Sequence, residues 1–233
     1  MAHKSVSGNA SASIRAFVQA RMLSRRFPGK VLAPFQGKPL IQHVLIALER
    51  ALPSVQIVVA TSDHDSDDPL AAYLSAMDVA VFRGPLDNVF ERFRMCVSEY
   101  PCEWILRVSA DSPLLDGRVL RAVVERANDW DGNLISTIFP RTFPRGQNTE
   151  LIRVDIFLTI GDEELSEDDR EHVTPIYYRH PHRFQILNVE SGNPKFADLS
   201  LAVDTVEDLQ RLEKGIGEQE YQLTYSTLAT KPG

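Results

Sequence analysis

"VQIVVATS", residues 55–62, is a continuous apolar and β-branched run with no polar alternation after Gln56. A run of this kind marks a strand buried on both faces, as in parallel sheets. Upstream, "SIRAFVQA" (13–20) is a second strand-forming run. Between the two, "PLIQHVLIALERA" (39–51) puts Leu40, Ile41, Val44, Leu45 and Leu48 on one helical face, with Pro39 suited to the first helical position. Downstream the alternation continues. "PLAAYLSAM" (69–77) reads as a helix, "VAVFRG" (79–84) as a strand, "NVFERFRMCVSEY" (88–100) as a helix and "EWILRVSA" (103–110) as a strand. "RVLRAVVERANDW" (118–130) then gives a helix with Val119, Leu120, Val123, Val124 and Ala127 inward. This rhythm predicts an α/β fold: a mostly parallel sheet with helices on both faces.

After Gly132 the rhythm breaks. "NLISTIF" (133–139), "NTELIRV" (148–154), "RFQILNVES" (183–191) and "LSLAVD" (199–204) read as strands. "VDIFLTI" (154–160) reads as a short helix, and "DREHVTPIYYRHP" (169–181) as a helix interrupted by Pro175. "TVEDLQRLEKG" (205–215) closes as a helix with Thr205 as N-cap and Asp208 completing a capping box. The expected organisation is one domain over 14–217, with an insertion at 132–198. A disordered N-terminus (1–13) and a tail (218–233) flank it.

Charge is unevenly spread. The 233 residues carry a formal charge of -7, yet seven Lys or Arg and no acid precede Glu49. "QARMLSRRFPGK" (19–30) concentrates Arg21, Arg25, Arg26 and Lys30 on a loop punctuated by Pro28 and Gly29, directly after the first strand. Ligands of open parallel sheets bind beyond the carboxyl ends of the strands. Cations and turn amides in that place suit a polyphosphate. Neither a Walker A loop nor GxGxxG is present. The acidic balance argues against general nucleic-acid binding. No run reaches 18 apolar residues, so no membrane span is expected. The two cysteines, Cys96 and Cys102, lack metal-ligand spacing, and with no secretory signal at the start they fit a reduced, cytoplasmic setting. "HDSDD" (64–68) reads as a turn and helix cap, and HExxH is absent.

The loop, extended through "VLAPFQGKPL", resembles the signature of sugar nucleotidyltransferases. "VATSDHDSDD", "VFRGPLDNVFERF", "LRVSADSPLLD", "REHVTPIYYRHPHRF" and "LAVDTVEDLQRL" follow in the order of the cytidylyltransferase family, which includes CMP-Kdo and CMP-sialic acid synthetases. The pattern is nearest its spore-coat-polysaccharide (SpsF-type) branch. The resemblance runs from about Ile14 to Leu212. It implies a Rossmann-like fold of the nucleotide-diphospho-sugar transferase type and a homodimer formed through the insertion. It also implies transfer of CMP from CTP to an acidic 2-keto sugar with Mg²⁺, releasing pyrophosphate.

By the same resemblance, Arg21 and Lys30 hold the triphosphate, with Arg26, Ser109 and Arg83 also on the nucleotide side. Asp111 and Asp204 are the magnesium ligands. Gln147, Glu150, Glu171 and His172 lie on the sugar side. Leu23 and Ala110 stand where the family pattern has glycines, and Arg145 and Asn148 where it has acids. Those two acid positions are expected to face the sugar and to leave the phosphate chemistry untouched. The chemistry itself is attack of a hydroxyl on the α-phosphorus, with positioning and charge neutralisation as the protein's work. Two other readings are a nucleotidyltransferase or GT-A glycosyltransferase with another substrate, and a non-catalytic nucleotide-binding homologue. A GT-A enzyme would show DxD at the metal strand, whereas Asp111 precedes Ser112 and Pro113.

Overall fold

The computed structural model describes residues 13–215. The expected disorder of the N-terminus and the tail thus falls almost wholly outside the described residues. The chain runs β1 (Ile14–Gln19), a hairpin of β2 (Pro34–Phe35) and β3 (Lys38–Pro39), α1 (Leu40–Ala51), β4 (Gln56–Ser62), α2 (Asp68–Ser75), β5 (Ala80–Gly84), α3 (Val89–Glu99), β6 (Trp104–Ser109) and α4 (Gly117–Arg126). It continues through β7 (Leu134–Ser136), β8 (Glu150–Arg153), α5 (Val154–Phe157), α6 (Glu167–His172), α7 (Pro175–Arg179), β9 (Ile186–Asn188) and α8 (Val206–Glu213).

Seven strands form one sheet in the order β5-β4-β1-β6-β8-β7-β9. β5, β4, β1 and β6 pair in parallel, β8 runs antiparallel to both β6 and β7, and β9 is parallel to β7. Alternation along the strands feeds two cores. Ala16 and Val18 of β1 face a layer built from α1, α2, α4 and α8. Phe17, Val58 and Ala60 face α3, α5 and α7. Both faces are covered, which is why 55–62 reads as an unbroken apolar run.

Several expectations are corrected. Pro39 ends the hairpin, and the helix starts one residue later at Leu40. The 132–198 segment is not a separate insertion in the sheet: it supplies three of its seven strands, β8 lying directly against β6. The runs 133–139 and 183–191 shrink to three-residue strands. Residues 199–204 form no strand. They make a single bridge, Arg145 to Ser200, and the Val203 amide donates to the Asp111 carbonyl at 2.9 Å. The 169–181 helix is two helices, broken at Val173–Thr174 ahead of Pro175. The Thr205–Asp208 capping box is present.

Candidate active site

The loop after β1 is closed on one residue. The Met22 carbonyl accepts from the Gly29 amide at 2.8 Å, and the Met22 amide donates to an Asp67 carboxylate oxygen at 2.7 Å. Gly29 takes a left-handed conformation (φ 74°), which a side chain would strain. The closed loop presents Arg25 and Arg26 to solvent and delivers Lys30 into a 3₁₀ turn (Lys30–Leu32). Asp67 is fully buried and also accepts from the Thr61 hydroxyl and from the amide and hydroxyl of Ser62. Burial opposes its ionisation. The Ser62 hydroxyl, the Met22 and Ser62 amides and the Thr61 hydroxyl nevertheless hold its carboxyl below the usual range.

Lys30 sits between two carboxylates. Its ammonium lies 2.7 Å from Asp111 Oδ2 and 3.3 Å from Asp204 Oδ1, and it donates to the Val203 carbonyl at 3.1 Å. Asp111 comes just past the end of β6, whose following residue, Ala110, hangs on the Gln19 carbonyl. Asp204 arrives on the irregular 199–204 segment laid beside it. Two carboxylates so placed repel unless a cation lies between them. Asp204 also pairs with Arg26 at 3.0 Å and Arg145 at 2.9 Å. The departure at Arg145 therefore touches Asp204, one of the two carboxylates expected to hold the metal.

The opposite wall is a relay of polar groups. Arg21 pairs with Glu171 at 2.6 Å, whose carbonyl accepts from the Gln19 side chain at 3.5 Å. Gln19 accepts from Arg107 at 2.9 Å, and Arg107 donates to Glu150 at 2.5 Å. The Tyr178 hydroxyl also donates to Glu150. Burial and the adjacent Glu150 carboxylate push that phenol well above its usual range. The α6–α7 break is a three-residue turn. Val173, fully buried, has φ 70° and ψ -49°, and the Thr174 amide donates to the His172 carbonyl at 2.8 Å. This geometry is that of the strained γ-turn, rare for a β-branched residue. It leaves exposed His172 at the rim, 3.7 Å from Asp168.

The resulting cleft, about 320 Å³, brings together Arg21, Arg26, Lys30, Ser109, Asp111, Glu171, His172 and Asp204 from the expected residues. Three others are not brought there. Arg83 donates to the Ser62 and His64 carbonyls and pairs with Asp68. Gln147 is buried, accepting from the Asp116 amide and donating to the Leu114 carbonyl. Glu150, 1% exposed, lies beneath the floor on Arg107. Sequence reasoning missed Gln19, Arg107 and Asp67. The first two sit at alternate strand positions and read as ordinary polar residues, and Asp67 is hidden in an acidic run that looks like a helix cap.

Among the described residues no group of three or more His, Cys, Asp or Glu is placed to hold a metal ion. The oxygen donors that converge are those of Asp111 and Asp204, and they already enclose a positive charge on Lys30. Hard oxygen donors around a cation suit a hard divalent ion that takes its remaining ligands from phosphate and water.

The sequence profile of the family described as Cytidylyltransferase matches residues 16–226. The spore coat polysaccharide biosynthesis protein SpsF of Bacillus subtilis (strain 168) is 28% identical over 203 residues, 84% of this chain and 83% of that protein. A 3-deoxy-manno-octulosonate cytidylyltransferase of Pectobacterium carotovorum subsp. carotovorum (strain PC1) is 34% identical over 112 residues, 46% of this chain and 43% of that protein. The solved structure of a cytidylyltransferase from Leptospira borgpetersenii serovar Hardjo-bovis (strain JB197) superposes with a TM-score of 0.83 at 22% identity, covering 95% of this chain and 99% of that one. That superposition speaks to the fold, α/β with a mostly parallel sheet.

Proposed function

The chain belongs to the cytidylyltransferase family, and on that premise we propose that it transfers CMP from CTP to the hydroxyl of an acidic 2-keto sugar. The sugar class is that of sialic, pseudaminic, legionaminic and Kdo-like acids, and the product serves surface polysaccharide synthesis. The observation that supports this most directly is the Lys30 ammonium set between Asp111 and Asp204 beside a loop of arginines. A triphosphate brought to this cleft meets Arg21, Arg25, Arg26 and Lys30. These cations offset the charge that builds on pyrophosphate as it leaves.

In the reaction the acceptor oxygen forms a bond to the α-phosphorus, the bond from that phosphorus to the bridging oxygen of pyrophosphate breaks, and the hydroxyl proton is lost to solvent or to a base. Asp111 and Asp204 would hold a divalent cation, Mg²⁺ in this reading, which when bound neutralises phosphate charge. Lys30 keeps the two carboxylates together in its absence. Glu171 and His172 at the rim bound the acceptor side. Glu150 acts from below, by fixing Arg107 and through it Gln19.

The test supplies CTP, UTP, GTP and ATP with Mg²⁺ and a panel of 2-keto sugar acids, and measures pyrophosphate. Release with CTP and one of the acids is expected. Release with another triphosphate but not with CTP would overturn the reading. We also propose a homodimer through the 132–198 segment, where Phe139 is exposed and stacks on Tyr178. Light scattering at micromolar concentration should give the mass of two 26.2 kDa chains, and a single-chain mass would exclude it.

A further inference from the structure

Arg145 enters the site on a fixed mount. Its amide donates to the Leu199 carbonyl at 3.0 Å, and its carbonyl accepts from the Leu201 amide at 2.7 Å. At the next residue, Gly146, φ is 92°, and a Cβ would come within 2.6 Å of the Leu201 carbonyl carbon and 2.7 Å of the Ala202 nitrogen. Only glycine permits so close an approach. The following Gln147 is buried and tied to Asp116 and Leu114. From this mount the guanidinium reaches Asp204 Oδ2 at 2.9 Å while remaining 59% exposed. Arg141 nearby adds no counter-charge, since it is itself a cation and donates to Asn148 at 2.7 Å. Asp204 is thus shared by Lys30, Arg26 and Arg145, whereas among the described residues Asp111 pairs with Lys30 alone.

We propose that Arg145 competes with the divalent cation for Asp204 and so sets how tightly this site takes metal. The inference rests on Asp111 and Asp204 being the metal-holding pair. An ion reaching Asp204 must displace the guanidinium and then remain beside its charge. Both effects oppose binding. The backbone mount fixes where the side chain begins, so the displaced guanidinium stays within reach of Asp204.

The full-length protein without nucleotide is titrated with Mn²⁺ alone, and free Mn²⁺ is read by electron paramagnetic resonance. Arg145→Ala and Arg145→Gln should each bind Mn²⁺ about two- to fivefold more tightly than wild type. The gain should vanish in the Arg145→Ala/Asp204→Asn double variant. Circular dichroism of both Arg145 variants confirms that they are folded. Wild-type Mn²⁺ affinity in both, with Asp204→Asn weakened, would overturn the proposal and leave the metal reading intact. A gain that survives in the double variant would also overturn it. Unchanged affinity in Asp111→Asn and Asp204→Asn alike would remove the metal reading and the proposal together.

Discussion

The Met22 amide and the Asp67 carboxylate, 45 positions apart, meet at 2.7 Å in the interior. Because Met22 also closes the loop through Gly29, this bond ties the loop that carries the arginines and Lys30 to the buried end of β4. Asp67→Ala leaves the Met22 and Ser62 amides without their acceptor, at roughly 1–3 kcal/mol for each buried group. It also removes a negative charge that favours the buried Arg92 cation. The variant should melt lower, and its KM for CTP should rise more than kcat falls. Asp67→Asn keeps an acceptor for Met22 and should recover much of the KM. An unchanged KM in Asp67→Ala would show that the loop is held without it.

Acid should reveal the same carboxylate. Burial opposes ionisation of Asp67, Asp169 and Asp208. Hydrogen bonds nonetheless hold all three low: from Ser62 and Met22 for Asp67, from Arg179 and Ser166 for Asp169, and from the Asp204 and Thr205 amides for Asp208. A depressed folded pKa gives stability that is complete above the unfolded value, about 3.9, and lost as pH falls through the folded one. Urea midpoints should therefore be level above about pH 5 and fall steeply below about pH 4. Asp67→Asn should show a shallower fall.

Lys30→Ala and Arg21→Ala test the polyphosphate reading. Each removes a charge-assisted contact worth roughly 1.5–3 kcal/mol, so calorimetric affinity for CTP should drop about tenfold or more. CMP has no β or γ phosphate and should lose far less. Equal losses for the two nucleotides would show that the loop does not read the polyphosphate.

Asp111→Asn and Asp204→Asn keep the shape of each side chain and remove its charge. Each should retain the wild-type circular dichroism spectrum while Mg²⁺-dependent pyrophosphate release collapses. Wild-type turnover in both single variants would exclude the pair from the chemistry.

The parallel half of the sheet was legible because β1, β4 and β6 are apolar on both faces, and no surface helix or edge strand has that pattern. The cationic loop was legible because it stands out in an acidic chain. The 199–204 run misled for a physical reason. Its apolar side chains, Leu201 and Val203, are buried as a strand's would be, but its backbone makes a single bridge, to Arg145, and otherwise bonds piecemeal to Asp111, Phe196, Lys30 and Asp208. Asp204 still meets Asp111, by lying alongside the chain rather than at a shared strand end. Asp67 was illegible because complete burial of one acid in "HDSDD" is a tertiary property that composition does not carry.

Glu150 separates a structural role from a substrate-binding one. It is 1% exposed and accepts from Arg107 and Tyr178. Arg107 in turn fixes Gln19, and Gln19 touches the Glu171 carbonyl that backs the Arg21 pair. Glu150→Gln preserves volume but leaves Arg107 as a poorly compensated, largely buried cation. Breaking a buried pair from one side costs about 3–5 kcal/mol. For a chain of this length that corresponds to a melting temperature lower by roughly 6–20 °C. Tyr178→Phe removes a donor to the carboxylate but no charge, and should cost less, roughly 1.5–3 kcal/mol. A direct sugar contact predicts the opposite pattern, with normal melting and a raised acceptor KM only. Glu150→Gln melting like wild type would mean that the Arg107 pair contributes nothing to the fold, and a raised acceptor KM beside it would place Glu150 on the acceptor.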